Sequence, residues 1–225
     1  MKKIYLAAFM PFLIAGSLIP VSCDKEEPVP EITTVTDYDG NVYNTVTIFN
    51  RTWMAENLKT SKLNNGTIIT LVSDDWNWDF LDEPKRCYYN NDGPSNKDVY
   101  GHLYNFYAVR TGKLCPAGWH VPTKEEWGTL IGYLGGYGSA GGKLKESGTI
   151  HWIEPNTGAD NSSGLTALPG GYRTSEGSYE QLGYAGFFWC NGNEAYRLSY
   201  NSSSVSSQWF RDYYGGASVR CIKEN

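Results

Sequence analysis

The chain is poor in the residues and patterns that mark common enzyme classes. Among 225 residues there are three His, three Met and five Cys. No HExxH, CxxC, GxSxG or phosphate-loop pattern occurs, so the short signatures of zinc hydrolases, serine hydrolases and nucleotidases are missing. Charged residues make up 19 %, with no basic run, which argues against a nucleic-acid partner. No internal repeat is visible. "GYGSAG", 136–141, has the letters of a dinucleotide fingerprint, but it follows a helical pattern and lacks a βαβ unit. It reads as a turn.

Long apolar runs are also scarce. The longest, residues 4–19, is broken by Pro11 and Gly16 and is short for a membrane span. It follows Lys2 and Lys3 and ends in "PVSC", which together read as an export signal over residues 1–22. A small residue before Cys at this place resembles the lipobox of bacterial lipoproteins, which implies a lipid on Cys23. The bland reading of Cys23 is a structural thiol of a secreted protein. "CDKEE", 23–27, resembles the surface-export signal of Bacteroidota lipoproteins. Residues 23–35 then form a charged, Pro-containing tether. The expectation is a lipid-anchored outer-membrane protein facing the cell exterior. Loss of residues 1–22 removes two Lys and no acid, moving the formal charge from −5 to −7.

What the chain has in quantity is Gly, Tyr, Trp, Asn and Ser, the make-up of a loop-rich β domain. One domain over 36–225 is long enough to bury a full core. "NVYNTVTIF" and "RTWMAENL" read as paired strands, and "GTIITLV" as another. Residues 73–99 show no period and read as a long loop; 102–109 is ambiguous by pattern, and its length and lack of internal Gly or Pro are compatible with a short helix. "GYAGFFWCN", "EAYRLSYN", "SVSSQWFR" and "ASVRCIK" read as further strands. The four Cys after Cys23 suggest disulfides in an exported protein, with three pairings open.

"LCPAGWHVPTKEEW", 114–127, looks like chemistry at first sight. Thr123 and Glu126, however, have the spacing of a capping box, and Glu125 and Glu126 suit a helix N-terminus. Trp127, Leu130, Ile131 and Leu134 form one helical face, and Gly135 and Gly136 stop it. No second His lies at metal-ligand spacing from His120, so a structural, hydrogen-bonded His is expected.

The aromatic and polar segment around Trp76, Trp78, Tyr88, Tyr89 and Asp92 is a candidate ligand-binding loop, because aromatic faces can stack on sugar rings. The bland alternative is that these rings pack the loop onto the domain.

"TVTIFNRTWMAENLK", "CYYNND", "YGHLYNFYAV", "CPAGWHVPTKEEW", "PNTGADNSSGLTALPGGYR" and "ASVRCIK" together resemble the Fibrobacter succinogenes major paralogous domain over roughly residues 36–223. Phe49, where that family more often has Gly, and Cys190 in "FWCNG" are departures. The family is remotely similar to the C-type-lectin-like fold, which also houses formylglycine-generating enzymes. This implies an α+β fold: two short helices packed on small twisted antiparallel sheets with long loops. It also implies a Cys115–Cys221 disulfide, leaving Cys87 and Cys190 as the other pair. "EPN", 154–156, is a tripeptide that mannose-binding C-type lectins use for calcium and sugar. Glu154, Asn156 and Asp160 are therefore candidates for a calcium site, and otherwise no cofactor is implied. A formylglycine-generating activity needs a copper-binding Cys pair, and Cys221 is already used by the implied bridge. The resulting expectation is a non-catalytic surface lipoprotein that binds extracellular glycan or protein. The alternative is a structural subunit of an outer-membrane or cell-surface assembly.

Overall fold

The computed structural model describes residues 1, 33–73, 78, 82–209 and 215–224. The signal, Cys23 and most of the tether lie outside the described residues. Ile32–Asn225 forms one compact unit.

The domain starts with a hairpin. Strands β1 (Thr33–Thr36) and β2 (Val42–Ile48) pair antiparallel. The Asp37 carboxylate organises the turn between them. It accepts from the Asp39 and Asn41 amides, at 2.9 and 3.0 Å, and from the Tyr43 hydroxyl at 2.6 Å. Tyr43 and Thr45 of β2 are buried on one face, and Ile48, with Val46 half-buried, packs on the other. Strand β3 (Arg51–Met54) returns antiparallel after a two-residue loop, Phe49–Asn50.

Three further groups of strands complete the β structure. Strand β4 (Thr70–Leu71) pairs parallel with β5 (Lys85–Cys87), and β5 antiparallel with β6 (Leu103–Tyr104). Strand β7 (Trp119–His120) pairs with the last strand, and β8 (Gly170–Arg173) with β9 (Tyr179–Leu182). Strands β10 (Ala185–Cys190), β11 (Glu194–Ser199) and β12 (Val205–Trp209) form a meander beside β8, and β13 (Ile222–Lys223) lies between β3 and β7. The fold is thus mixed α+β with sheets ordered β1-β2-β3-β13-β7, β12-β11-β10-β8-β9 and β4-β5-β6. Two pairs, β4/β5 and β8/β10, are parallel, so the sheets are not purely antiparallel as expected.

There are four α-helices among the described residues, not two: α1 (Gly93–Tyr100), α2 (Phe106–Arg110), α3 (Lys124–Tyr133) and α4 (Ala140–Leu144). Helix α1 and strand β5 replace much of the long loop expected over 73–99. The Asp92 side chain caps α1 and Pro94 stands in its first turn. Only Asn96 of α1 is buried, so the helix has no apolar stripe to betray it. Helix α3 matches its sequence signals. Thr123 and Glu126 form the reciprocal capping box, a device that contributes about 1 kcal/mol. Trp127, Leu130, Ile131 and Leu134 are buried, and each such side chain contributes roughly 1.5 to 3 kcal/mol.

Strand β10 divides the interior. Phe187 and Trp189 point into a core shared with Tyr43, Met54 and Trp119, while Phe188 and Cys190 join Trp53, Trp127 and Trp152. A strand covered on both faces must be apolar throughout, which accounts for "AGFFWC". A third, smaller core gathers Val72, Trp78, Cys87, Tyr89 and Leu103.

Cys115 and Cys221 form a disulfide 106 residues apart in sequence, tying the segment before β7 to the start of β13. Cys87 and Cys190 do not pair. Both are free and buried, Cys87 in the smallest core and Cys190 beside Trp127, and burial pushes both thiols up to about 11.

Candidate functional site

The stretch from Trp119 to Trp127 is scaffold. Glu126 Oε2 accepts from the Thr123 amide and from His120 Nε2, both at 2.9 Å. Its Oε1 accepts from Arg51 Nη2 across the sheet. Three donors from separate segments leave this carboxylate no freedom to move.

The aromatic loop candidates pack inward where they are described. Trp78 is fully buried, with the Arg173 guanidinium 4.5 Å from its ring centre. Tyr89 is 8 % exposed and lies against Tyr179. Tyr88 is half-buried and edge-on to His102. Asp92 is exposed, but its carboxylate is engaged by the Ser95 amide at 3.1 Å as the α1 cap. Trp78 and Tyr89 therefore do not form the stacking platform expected of them, because a ring inside a core offers no face, while Tyr88 is half turned toward His102 and Asp92 serves as a helix cap. Trp76 lies outside the described residues.

"EPN" does not assemble a cation site either. Glu154 is exposed, whereas Asn156 is buried and donates its amide to the Glu146 and Gly148 carbonyls, at 2.9 and 2.6 Å. Asp160 is exposed and holds the Ser162 amide at 2.8 Å. No group of three His, Cys, Asp or Glu among the described residues is placed to share a metal. Asn156 instead closes the 146–156 loop.

The structure assembles a polar cleft that sequence reading missed. Residues 55–59, 98–99, 146–151 and 166–168 converge on Arg220 around about 310 Å³. Arg220 is 1 % exposed. Its Nε donates to Asn57 Oδ1 at 2.8 Å, its Nη2 to the Thr166 carbonyl at 2.9 Å, and its Nη1 to the Leu165 carbonyl. Its partners are an amide and two backbone carbonyls rather than a carboxylate. Burial accordingly pulls its pKa down to about 9, against the pull of the Glu56 charge. Asn57 relays the order outward by donating to the Tyr100 carbonyl at 2.9 Å.

A histidine–carboxylate hydrogen bond and an ion pair stand at the rim. His151 Nδ1 lies 2.9 Å from both oxygens of Glu146, and Lys59 Nζ lies 3.4 Å from Asp98. The Tyr100 ring meets His151 edge-on. Val99 and Leu168 add apolar lining. Two cations thus face three carboxylates, with His151 between the signs: a cleft dense in donors and acceptors yet close to neutral. A His–carboxylate pair can serve as a general base, but no Ser or Cys lines the cleft among the described residues. Thr166 Oγ1 is engaged with Asn161 at 2.9 Å. Fixed polar groups around a small apolar patch suit reversible binding of a hydroxyl-rich ligand.

The sequence signals for this site were Arg220 between the apolar Val219 and Ile222 in "SVRCIK", and the acid–amide pair in "MAENLK". No curated protein and no solved structure matches the chain. A family model described as the Fibrobacter succinogenes major domain matches residues 46–223.

Proposed function

The chain belongs to the Fibrobacter succinogenes major domain family, and from that premise we propose that it is a non-catalytic, surface-exposed bacterial lipoprotein that binds extracellular glycan. The observation that carries the reading is the Arg220 cleft. A strongly charged polymer would need one dominant sign, and this cleft balances its signs. A sugar presents donor and acceptor hydroxyls around C–H faces, which is the complement of interleaved Lys59, Asp98, Glu146 and His151 beside Val99 and Leu168. Calcium is not part of the proposal, since the exposed Glu154, the buried Asn156 and the Ser162-bound Asp160 are not brought together as one metal-binding group. The bridged Cys115 and Cys221 and the buried Cys87 and Cys190 favour binding over a reactive-thiol enzyme. Localisation at the outer membrane rests on the signal-like residues 1–22 and Cys23. A C-type-lectin-like architecture is supported by the bridge from the segment after α2 to the start of the last strand.

The test is a glycan-array screen of the purified chain, run with calcium and with a chelator, alongside Lys59→Ala and Glu146→Gln. Binding indifferent to chelation and weakened at least tenfold by both variants, with unchanged thermal unfolding, is expected. Loss of binding on chelation, or binding untouched by the variants, overturns the assignment to this cleft. Retention of no glycan at all overturns the function.

A further inference from the structure

A second surface feature has no role in the Arg220 cleft. Phe49 is the first residue of the two-residue loop joining β2 to β3, with φ +59°. Tight hairpin loops favour Gly at such a position because a side chain is strained in the left-handed region. The side chain is also 61 % exposed. A bulky apolar residue that is both strained and wet is not explained by folding, and strain of this kind concentrates where it serves a function.

Its surroundings indicate the function. The Phe49 ring stacks on Tyr133 at the end of α3, with centroids 5.1 Å apart and planes 29° apart. Tyr133 is 58 % exposed, so the stacked pair stands in solvent, each ring covering one face of the other and leaving its opposite face open as a small aromatic shelf. Beside Phe49 opens a cleft of about 180 Å³, smaller than the roughly 300 Å³ at which drug-sized pockets begin. Ile48, Trp53 and Leu130 give it an apolar floor, and Asn50, Arg51, Glu126 and Thr129 give it a polar edge. The Arg51–Glu126 pair is about four-fifths buried and locked by His120 and the Thr123 amide. Arg51 Nε is buried without a hydrogen-bond partner, and the guanidinium reaches the cleft edge through its partly exposed remainder.

We infer that the Phe49 shelf and the cleft beside it are a subsite for a single sugar ring. One C–H face of the ring lies on the aromatic shelf, whose electron-rich faces attract polarised C–H groups. Its hydroxyl edge meets Arg51, Glu126, Asn50 and Thr129. The small volume selects one ring rather than a larger ligand, and the split between apolar floor and polar edge selects a sugar over a purely apolar side chain. The inference shares the ligand class of the proposed function but rests on different residues.

The experiment is saturation-transfer NMR with the methyl glycosides of glucose, galactose, mannose, xylose and N-acetylglucosamine, with phenol and indole as competing probes. Wild type is compared with Phe49→Gly, Tyr133→Ala and Lys59→Ala. At least one glycoside is expected to show transfer concentrated on one face of its ring, with affinity reduced at least tenfold by Phe49→Gly and Tyr133→Ala. Phe49→Gly removes a strained side chain, so its melting temperature is expected within about 2 °C of wild type, which separates lost binding from lost fold. Glycoside binding that falls with Lys59→Ala but not with Phe49→Gly overturns the shelf and leaves the Arg220 cleft standing. Binding that falls with Phe49→Gly but not Lys59→Ala supports the shelf and overturns that cleft. Saturation by phenol or indole without any glycoside means the shelf takes an aromatic side chain, and the inference fails.

Discussion

The Arg220 cleft and the Phe49 shelf draw on one stretch of chain, Ile48 to Lys59, but they are built in opposite ways. The shelf is the more local: two segments, the β2–β3 hairpin and the adjoining face of α3, supply every group it uses. The cleft is non-local: it needs five separated segments and has a buried guanidinium at its centre. A local site can change without endangering the fold. A non-local one is part of the fold, because its polar groups also hold the segments together. Arg220 joins the ends of loops that share no sheet, giving buried carbonyls the donors that regular structure would supply elsewhere. Lys145 does the same, donating to the Thr157, Ser199 and Ser202 carbonyls at 3.1, 2.9 and 3.0 Å. In this loop-rich domain, buried cations do the work of missing backbone ladders.

The largest expected effect tests whether the two sites are as separate as this comparison holds. Residue 220 feeds the cleft, Cys221 the disulfide and Ile222 the core under the shelf. Replacing Cys115 and Cys221 by Ala releases a closure of 106 residues, worth about 4 to 5 kcal/mol in the chain-entropy picture. Denaturant unfolding should show that loss in a single transition. Two transitions would mean that cleft and shelf belong to separately folding halves.

Arg220→Met comes next. It keeps the volume but strands Asn57 Oδ1 and the carbonyls of Leu165 and Thr166. Several buried acceptors without donors cost about 3 kcal/mol or more, read as a lower denaturation midpoint. Methionine tolerated within about 0.5 kcal/mol would make Arg220 a ligand group only and not a structural one.

The same contrast explains what could be read in the sequence. The α3 helix was legible because Thr123, Glu126, Trp127, Leu130 and Gly135 are neighbours in sequence and each signal is local. The β2–β3 hairpin was legible from its β-branched and aromatic residues following the Asp39–Gly40 turn signal. Helix α1 escaped because its cap signals, Asp92 and Pro94, were not followed by an apolar face. The burial of Trp78 and Tyr89 could not be separated from exposure, since a ring that packs a loop and a ring that stacks on a ligand occupy the same kind of sequence. The Cys115–Cys221 bridge came from family resemblance, and the mistaken Cys87–Cys190 pairing came with it. Burial in different cores is a property of the tertiary fold. The cleft had no local signature at all, because its charges meet only after folding.

The next effect separates the sites by pH. His102 is buried against the chain just beyond the cleft residue Asn57: the Leu58 carbonyl accepts from its amide and the Thr60 carbonyl lies 3.1 Å from Nδ1. Arg86 Nη1 lies 3.3 Å from Nε2, so Nε2 accepts and Nδ1 carries the proton. Burial, with Arg86 adding to it, lowers the pKa from 6.5 to about 3. The unfolded chain then binds a proton that the folded one refuses. Stability from this group is present above about pH 6.5 and falls by up to roughly 1.4 kcal/mol per unit as pH drops toward 3. His102→Gln should flatten this acid limb. Hydrogen exchange at pH 4.5 should show loosening over residues 57–60 before residues 48–51. Equal loosening at both places would erase the distinction.

The smallest effect carries most of the argument for the shelf. In Phe49→Gly, relief of the left-handed strain is worth about 1 kcal/mol. Against it stand the lost stack on Tyr133, about 0.5 kcal/mol, and the freer unfolded chain, about 0.5 to 1 kcal/mol. These nearly cancel, so the denaturation midpoint should stay within about 0.5 kcal/mol of wild type. A residue that adds nothing to stability, is strained and faces water has no structural reason to be a phenylalanine. If the midpoint instead falls by about 2 kcal/mol, Phe49 is a packing residue pinned by Tyr133. The shelf would then be part of the fold, as the Arg220 cleft is, and the contrast between the two sites would collapse.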